Sequence, residues 1–583
     1  MVTAGVVAGS AGVCMAASGG ASAGGMQTAG GRILGAPVEQ DIAAVVVYRS
    51  SGVTSLTLTN GVRLHLKVMP KAGKSGQTGK AAVDDPATQE AGPGIDAGAA
   101  KQIAQRVSIH AFIPVRQGVT ASGHALGHEV GMLAAAVLNA TPRPVGDGAG
   151  DPAATVRAVA GNGAIDSAVA TGATVATGAT GASGASGATD ATGAAGQTLR
   201  QFGLACWLGA DGLHIRLACE QTDLSQALEK LRAILTRERV DATVFAATHE
   251  KELRRLREGR SPERDVMDRL LAAVNPAYRR PDATVIATVT LEEVEQWLAV
   301  TIGSVAPELA AAGNNSVRAA TPVVAAPLDI GIAGRIDAAM AGAMAAETFG
   351  NLSRRVDVLA ERVGPVSRAG EVTIEQPAET NRGLLLLAWE APPIHELGPY
   401  RASLGATRLL RERLRAKLLE QYPSGGADGQ RGGTGNWPGA ATIFDVSCRL
   451  MPGPELLPST AIVRITVANA KTTPGFMAEV AALVCSQIDA MANRGGTPSG
   501  ATNVEADTVT DPLVADSTRL LASAEYWAAI LATHRQVGLD PDELITAPRA
   551  YDALNGVDLT RAVADWLDRG PRLRLLEWPG LER

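Results

Sequence analysis

The chain contains 583 residues, enough for two or more domains of ordinary size, and 46% of them are apolar. The formal net charge is −6, and the short Lys/Arg clusters exclude the concentrated positive surface that nucleic-acid binding needs. No run approaches the ~20 apolar residues that cross a bilayer, so we expect neither a nucleic-acid partner nor a membrane span.

Residues 1–45 are predicted to be a flexible leader. They are rich in Ala and Gly, and they contain no Lys or Arg before Arg32. A secretory signal needs a positively charged start before a compact apolar segment, so the run from Val2 to Met15 is at most a degenerate version of one. With no convincing signal peptide, the compartment stays open between the cytoplasm and the periplasm.

Residues 46–365 are predicted to form a first α+β domain. Its opening run, TSLTLTNGVRLHLKVM over 54–69, alternates apolar and polar residues around Asn60-Gly61, which is a strong signal for a two-residue hairpin turn. Residues 145–197 have no periodic apolar face and predict a disordered Ala/Gly/Thr-rich insertion. Periodicity predicts the other elements: strands over 106–115 and 327–333, a hairpin over 202–221, and helices over 122–140, 223–235, 241–257, from 261, over 291–300 and over 337–349.

Residues 366–583 are predicted to repeat this order in a second domain. A long helix over 399–421 is rich in arginine, and we expect most of these arginines to form a solvated face. Two tandem units of strands, helices and a closing strand place the chain in the α+β class. The remaining predicted elements are strands over 371–375, 383–390, 440–450, 460–468 and 572–577, and helices over 475–493, 512–536 and 558–568.

Short motifs spread over both predicted domains resemble one protein family. Their order and spacing are similar to those of the insulinase/pitrilysin-type (inverzincin) metallopeptidases. The motifs are LTNGVRL over 58–64, IGIAGRID over 330–337, TFGNLSRR over 348–355, an Arg and a Tyr separated by six residues at Arg415 and Tyr422, EYW over 525–527, and DLT over 558–560.

The resemblance implies two tandem homologous insulinase-like α+β sandwich domains. Larger members of the family have four such domains, arranged as an N-terminal catalytic half and a C-terminal half that close around an unfolded peptide. This chain has room for two domains, and its opening GVTSLTLTNGVR over 52–63 resembles the start of a C-terminal, non-catalytic half. The expected partners are a catalytic insulinase-like half or a homologous subunit, and a peptide substrate.

The zinc motif of the family, H-x-x-E-H, is incomplete in this sequence. In the family, two His at i and i+4 bind zinc from one helix face, and the Glu before the second His deprotonates the attacking water. The closest run is His124-Ala-Leu-Gly127-His128, in which Gly127 takes the position of the base. Glu129 follows, but it projects about 100° away on a helix and cannot substitute for that base.

We therefore expect no cofactor in this chain and zinc only in a catalytic partner half. One alternative is a vestigial site in which His124 and His128 still hold zinc, together with Glu250 or Glu252 of the 241–257 helix. The other is that both histidines are ordinary residues on the surface of a helix.

Arg415 and Tyr422 are the candidate substrate-binding residues. In the family, an Arg and a Tyr at this spacing in the last domain hydrogen-bond the substrate near the scissile carbonyl. A guanidinium and a phenol are donors suited to developing oxyanion charge. The alternative is an ordinary helix arginine and a tyrosine that caps the helix end before Pro423.

Three functions are compatible with the sequence. The leading one is a non-catalytic half that forms the wall of a substrate chamber and supplies Arg415 and Tyr422 to the peptide. The second is a stand-alone inactive homologue that acts as a structural or peptide-binding scaffold. The third is an active metalloendopeptidase with an atypical site at His124 and His128.

Overall fold

The structure is a computed structural model, and it describes both predicted domains. The first 41 residues, His124, the insertion over 145–197 and the helix predicted from residue 261 lie outside the described residues. The described ranges are 42–70, 106–115, 128–140, 203–209, 212–237, 239–257, 282–303, 326–355, 372–378, 382–422, 442–451, 459–468, 472–494 and 500–580.

The first domain is built on a seven-stranded sheet in the order β1-β2-β3-β7-β4-β6-β5. Strands β3 and β7 run parallel, and the other neighbouring pairs are antiparallel. The predicted hairpin at Asn60-Gly61 joins β2 to β3, and the φ of 85° at Gly61 is one that glycine tolerates best. The strands are β1 (Ile42–Tyr48), β2 (Val53–Leu58), β3 (Arg63–Val68), β4 (Arg106–Pro114), β5 (Ala205–Leu208), β6 (Gly212–Glu220) and β7 (Asp329–Gly334).

Helices of the first domain pack against one face of this sheet or against one another. The alternation of the opening run places Leu56, Leu64 and Leu66 on that face, where they join the main core. The helices are α1 (His128–Ala140), α2 (Leu224–Leu235), α3 (Ala242–Arg257), α4 (Ala283–Thr288), α5 (Leu291–Ile302) and α6 (Ala338–Phe349).

The second domain is built on a five-stranded sheet in the order β10-β11-β9-β12-β8. Its strands are β8 (Val372–Ala378), β9 (Arg382–Glu390), β10 (Thr442–Met451), β11 (Thr460–Ala468) and β12 (Pro571–Pro579). Its helices are α7 (Leu397–Gln421), α8 (Pro474–Met491), α9 (Asn503–Leu521), α10 (Ala524–Val537), α11 (Pro541–Leu544), α12 (Ala547–Asp552) and α13 (Gly556–Arg569).

The two sheets share one topology. In the first, β7 lies between a parallel neighbour, β3, and an antiparallel one, β4, and β6 and β5 continue the sheet. In the second, β12 lies between the parallel β8 and the antiparallel β9, and β11 and β10 continue it. The α+β class and the tandem repeat predicted from the sequence are therefore confirmed, with β1 and β2 as additional strands of the first sheet.

Helix α10 belongs to the second half of the chain but packs on the first sheet. It crosses β7, β4 and β3 on the face opposite the main core. A Cβ at Gly331 would lie 2.1 Å from the main-chain oxygen of Ala528, so the helix backbone approaches the strand closely there. Trp527 and Leu531 of α10 are buried with Val53, Ala333 and other apolar residues in a cluster that joins the two domains.

Two predicted boundaries need correction. Strand β1 begins at Ile42, inside the predicted leader 1–45, and its valines are exposed, so it lacks the alternation that identifies a half-buried strand. The helix predicted over 512–536 is two helices, α9 and α10, because Ser523 caps a new start by accepting a hydrogen bond from the N–H of Tyr526.

Candidate functional site

Two of the family-like motifs meet where the first domain closes. The side-chain amide of Asn60 donates hydrogen bonds to the main-chain oxygens of Phe349, at 2.7 Å, and Gly350, at 3.1 Å. The main-chain N–H of Arg355 donates back to the main-chain oxygen of Asn60 at 2.7 Å. A Cβ at Gly61 would lie 2.3 Å from the Arg355 oxygen. These two motifs therefore contact each other within the first domain. The contact accounts for the asparagine at position 60 and the glycine at position 61.

The described part of the incomplete zinc motif is limited to His128 at the start of a helix. Helix α1 begins at His128, and α3, which carries Glu250 and Glu252, packs beside it. Glu252 accepts a hydrogen bond from Nε of Arg255 at 2.7 Å, so an arginine already holds this candidate ligand. The position of the base is Gly127, which has no side chain to move a proton. Within the described ranges, no group of three or more His, Cys, Asp or Glu side chains could hold a metal ion.

Arg415 and Tyr422 lie on one side of the end of α7, since seven positions correspond to about two helical turns. Arg415 is exposed, and no hydrogen bond or ion pair joins it to another described residue. Tyr422 is half-buried at the C-terminal cap, and its ring packs edge-on against Phe476, with ring centroids 5.2 Å apart. Burial raises the pKa of Tyr422 above its ordinary value of 10.0, so the phenol remains a hydrogen-bond donor at neutral pH.

The other arginines of α7 overturn the prediction that most of them form a solvated face. Arg401 is only 7% exposed, because α7 is covered along much of its length by neighbouring elements. Arg411 is half-buried and pairs with the adjacent Glu412. Three arginines hold α7 against other helices or the segments between them, in the pairs Arg401–Thr546, Arg408–Asp516 and Arg413–Glu505. Among the arginines of α7, Arg415 is thus the one without a described partner.

The two candidate sites occupy equivalent places in the two domains. Helix α1, where the incomplete zinc motif ends, connects β4 to β5, and α7, which carries Arg415, connects β9 to β10. Strands β4 and β9 are equivalent in the shared topology, and so are β5 and β10. Helices α1 and α7 are therefore equivalent, and they carry His128 and Arg415 respectively.

Solved structures share this two-domain architecture. The ferredoxin protease FusC, in complex with Arabidopsis ferredoxin, matches 93% of this chain at a TM-score of 0.56 and 11% identity. A peptidase M16 inactive domain from Pseudomonas fluorescens matches 91% of this chain, and 99% of its own length, at a TM-score of 0.56 and 13% identity. The chain has the M16 (insulinase/pitrilysin) peptidase fold.

The extent of these matches differs between structures. The chain covers 46% of FusC and so spans about half of that protein. A chain of complex III from Candida albicans matches 88% of it, and 93% of its own length, at a TM-score of 0.53 and 11% identity. No family model matches the chain, and no curated protein matches it significantly in sequence. None of the helices in the described ranges is both long and apolar enough to cross a membrane.

A buried polar network on the first sheet was missed from the sequence. Arg63 donates to both oxygens of Asp329 at 2.6 Å, and Nε2 of His65 lies 3.1 Å from one of them. The hydroxyl of Ser55 lies 2.7 Å from Nδ1 of His65. Burial raises the pKa of Asp329, but hydrogen bonds from Arg63 and His65 outweigh it and hold the pKa well below its ordinary value.

A second buried pair lies on the same face. Nε2 of His110 is 3.0 Å from Nδ1 of His214, and the ring of Trp207 stacks on His214 with centroids 5.0 Å apart. Burial, and then the charges of His214 and Arg216, lower the pKa of His110 well below 6.5. In this M16 fold the polar face of the opening strands is covered by α10, a helix from far along the chain. The alternation of residues in these strands predicts their polar face. No pattern within the strands predicts that a distant helix will cover that face.

Proposed function

We propose that the chain is the non-catalytic half of an insulinase-type zinc peptidase. It would form part of the wall of a substrate chamber, while a catalytic half on another chain or segment supplies zinc and the general base. The observation that carries the proposal is a chain with the M16 fold, about half the length of FusC, in which the position of the base is Gly127. The likeness to an M16 inactive domain supports the same assignment.

Arg415 and Tyr422 are the residues through which this half would contact the peptide. An exposed guanidinium without a described partner keeps its donors available, whereas the paired arginines of α7 do not. The phenol of Tyr422 is a neutral donor, and packing against Phe476 fixes its ring. Two such donors could stabilise negative charge that develops on a scissile carbonyl oxygen.

The test measures zinc content and the cleavage of a fluorogenic peptide. The purified chain is assayed alone and then mixed with an M16 homologue that contains H-x-x-E-H and is encoded beside it. We expect neither stoichiometric zinc nor cleavage from the chain alone, and cleavage from the mixture. Loss of one oxyanion donor typically lowers kcat by 100-fold or more, so Arg415→Ala should lower kcat of the mixture by roughly 100-fold.

Two further variants distinguish a chemical role of Arg415 and Tyr422 from a general effect of changing the surface of α7. Tyr422→Phe keeps the ring against Phe476 and removes only the hydroxyl, so it should lower kcat while the packing of the ring is retained. Arg411→Ala removes another arginine of α7, half-buried and one turn earlier, and should leave kcat unchanged. If Arg411→Ala and Arg415→Ala reduced activity equally, the proposed role of Arg415 would be wrong.

The likeness to a chain of complex III favours a scaffold as the second candidate function. In that case the chain would remain inactive in every mixture, and its contribution would be a stable assembly with a partner. Stoichiometric zinc together with cleavage by the chain alone would contradict both proposals. That result would favour the third possibility, an atypical site that includes His124 and His128.

A further inference from the structure

Helix α10 covers a face of the first sheet that is rich in histidine. The strand register places His65 of β3 and His110 of β4 on either side of Gly331, at which α10 approaches the sheet closely. His214 of β6 bonds to His110, and His534 reaches the sheet from α10. Four of the eight histidines of the chain therefore meet at one contact, which we call the histidine interface.

One ring nitrogen of His534 has a hydrogen-bond partner among the described residues, and the other has none. Its Nδ1 lies 2.7 Å from the main-chain oxygen of Leu531, which can only accept, so Nδ1 carries the proton of the neutral ring. Nε2 is buried and has no hydrogen-bond partner in the described part of the chain. The ring meets that of His65 edge-on, with centroids 4.6 Å apart. A second proton, on Nε2, would be a buried donor without an acceptor.

The surroundings of His534 oppose that second proton. The carboxylate that faces the ring is Asp329, but its oxygens already accept from Arg63 and His65. Burial, and then the charge of His65, lower the pKa of His534 to about 4. Other titratable or charged groups on the elements packed around the ring include Tyr48 of β1, Lys67 of β3, His110 of β4 and Arg535 of α10. Glu525 of α10 also forms an ion pair with Arg216 of β6 across the same contact.

We propose that the histidine interface is a pH-sensitive contact, in which α10 stays docked on the first sheet while His534 is neutral and is released when Nε2 takes up a proton. In the released helix the ring is solvated and no longer lies against His65. Acid therefore shifts the equilibrium toward the released state. The inference concerns the contact between the two domains and does not depend on the proposed function.

Release of α10 would loosen the connection between the domains. On another side of the helix, Tyr526 lies beside Tyr551 and Arg401, the buried arginine at the start of α7. Helix α10 thus contacts the first sheet and also the surroundings of α7, which carries Arg415. The contacts of the first sheet with this part of the second domain would weaken in acid.

The test is hydrogen exchange of the full chain at pH 7.5, 6.5, 5.5 and 5.0, with peptides from α10 and α13 compared. After correction for intrinsic exchange rates, the opening constant of α10 should rise about 30-fold between pH 7.5 and 5.0, the factor expected for a pKa that changes from 6.5 when released to about 4 when docked. Helix α13 packs within the second domain, so its opening constant should change by less than about 3-fold.

Two variants complete the test. His534→Phe keeps an aromatic ring but cannot bind a proton, so the opening constant of its α10 should rise in acid by a clearly smaller factor than in the natural chain. The remaining rise would come from His110, whose pKa is also lowered. His395→Gln, at an exposed histidine before α7, should behave like the natural chain. If the opening constant of α13 also rises in His534→Phe, the variant has unfolded as a whole. The pH dependence of α10 in the natural chain then decides the test. An opening constant of α10 that does not rise in acid, or rises equally in a folded His534→Phe variant, would overturn the proposal.

Discussion

Gly331 determines how closely α10 can approach the first sheet. A Cβ at this position would lie 2.1 Å from the main-chain oxygen of Ala528, and a helix backbone cannot yield as the end of a flexible side chain can. Overpacking a tight contact of this kind costs about 1–3 kcal/mol. We predict that Gly331→Ala lowers the free energy of unfolding by at least this amount, measured by urea denaturation.

Gly398 provides the matched control for that substitution. It lies in the first turn of α7, and no atom lies within 4 Å of a Cβ built there. Alanine is favoured over glycine in a helix by up to about 1 kcal/mol, so Gly398→Ala should raise stability slightly. Equal effects of the two substitutions would mean that the close approach of α10 does not require glycine at position 331.

Residue types predicted some of the contacts in this molecule and not others. Asn60-Gly61 identified its hairpin because a two-residue turn is determined locally by the φ values it needs. The alternation of residues in β3, the strand that follows, places His65 on a polar face. From the sequence alone, a polar strand face is predicted to be exposed to solvent. That face is buried because α10 crosses it, and no local pattern shows which distant helix will do so. The roles of Arg415 and Tyr422 rest on motif spacing, and they stay predictions.

At the scale of elements, α9 shows how a helix start can be misplaced. From the sequence, the start is predicted at residue 512, which is a proline. The helix in fact begins at Asn503, after a capping box in which Thr502 and Glu505 satisfy each other's main-chain N–H groups. Pro512 is therefore interior, where it removes one helical hydrogen bond.

This position leads to a stability prediction. Pro512 is exposed, so its replacement disturbs no core packing. Proline is about 3 kcal/mol less favourable than alanine inside a helix, although a relaxed kink recovers part of that difference. We expect Pro512→Ala to raise the free energy of unfolding by about 1–3 kcal/mol in urea denaturation.

Pro474 supplies the comparison for this prediction. It is also exposed, but it occupies the first position of α8, where the missing N–H would have no helical partner. Pro474→Ala should therefore give no gain. A similar gain from both substitutions would show that the position of Pro512 within α9 is not the cause.

At the scale of the whole molecule, residues on the two sides of the predicted boundary near residue 365 share a buried apolar cluster, so the two domains are not separate units. The repeat itself could be predicted, because each domain repeats the same order of strands and helices. The crossing of α10 could not, since its apolar residues are equally suited to the core of its own domain. In the structure, Trp527, Leu531 and Leu544 of the second half are buried with Val53 and Met69 of the first.

The carboxylates and His534 predict how this joined molecule responds to acid. The pKa of His534 is held at about 4, below its ordinary 6.5, so the unfolded chain binds more protons between these values. The resulting stability is fully present above pH 6.5 and is lost as the pH falls toward 4, by up to about 3 kcal/mol. Hydrogen bonding to Arg413 lowers the pKa of Glu505 to about 2, and that of Asp329 is also lowered, so further stability is lost below about pH 4.5.

Urea midpoints measured from pH 8 to pH 3 should therefore fall in two stages, one governed by His534 and His110, whose pKa values are both lowered by burial, and one by the carboxylates. In His534→Phe the first stage should become shallower because no proton can bind at that position, while the contribution of His110 and the second stage should remain. Asp329→Asn should do the reverse, since it removes a carboxylate but leaves His534, although its stability should be lower at every pH because Arg63 loses its buried partner. If the two variants lost stability over the same pH range, the separate assignment of the two stages to these side chains would fail.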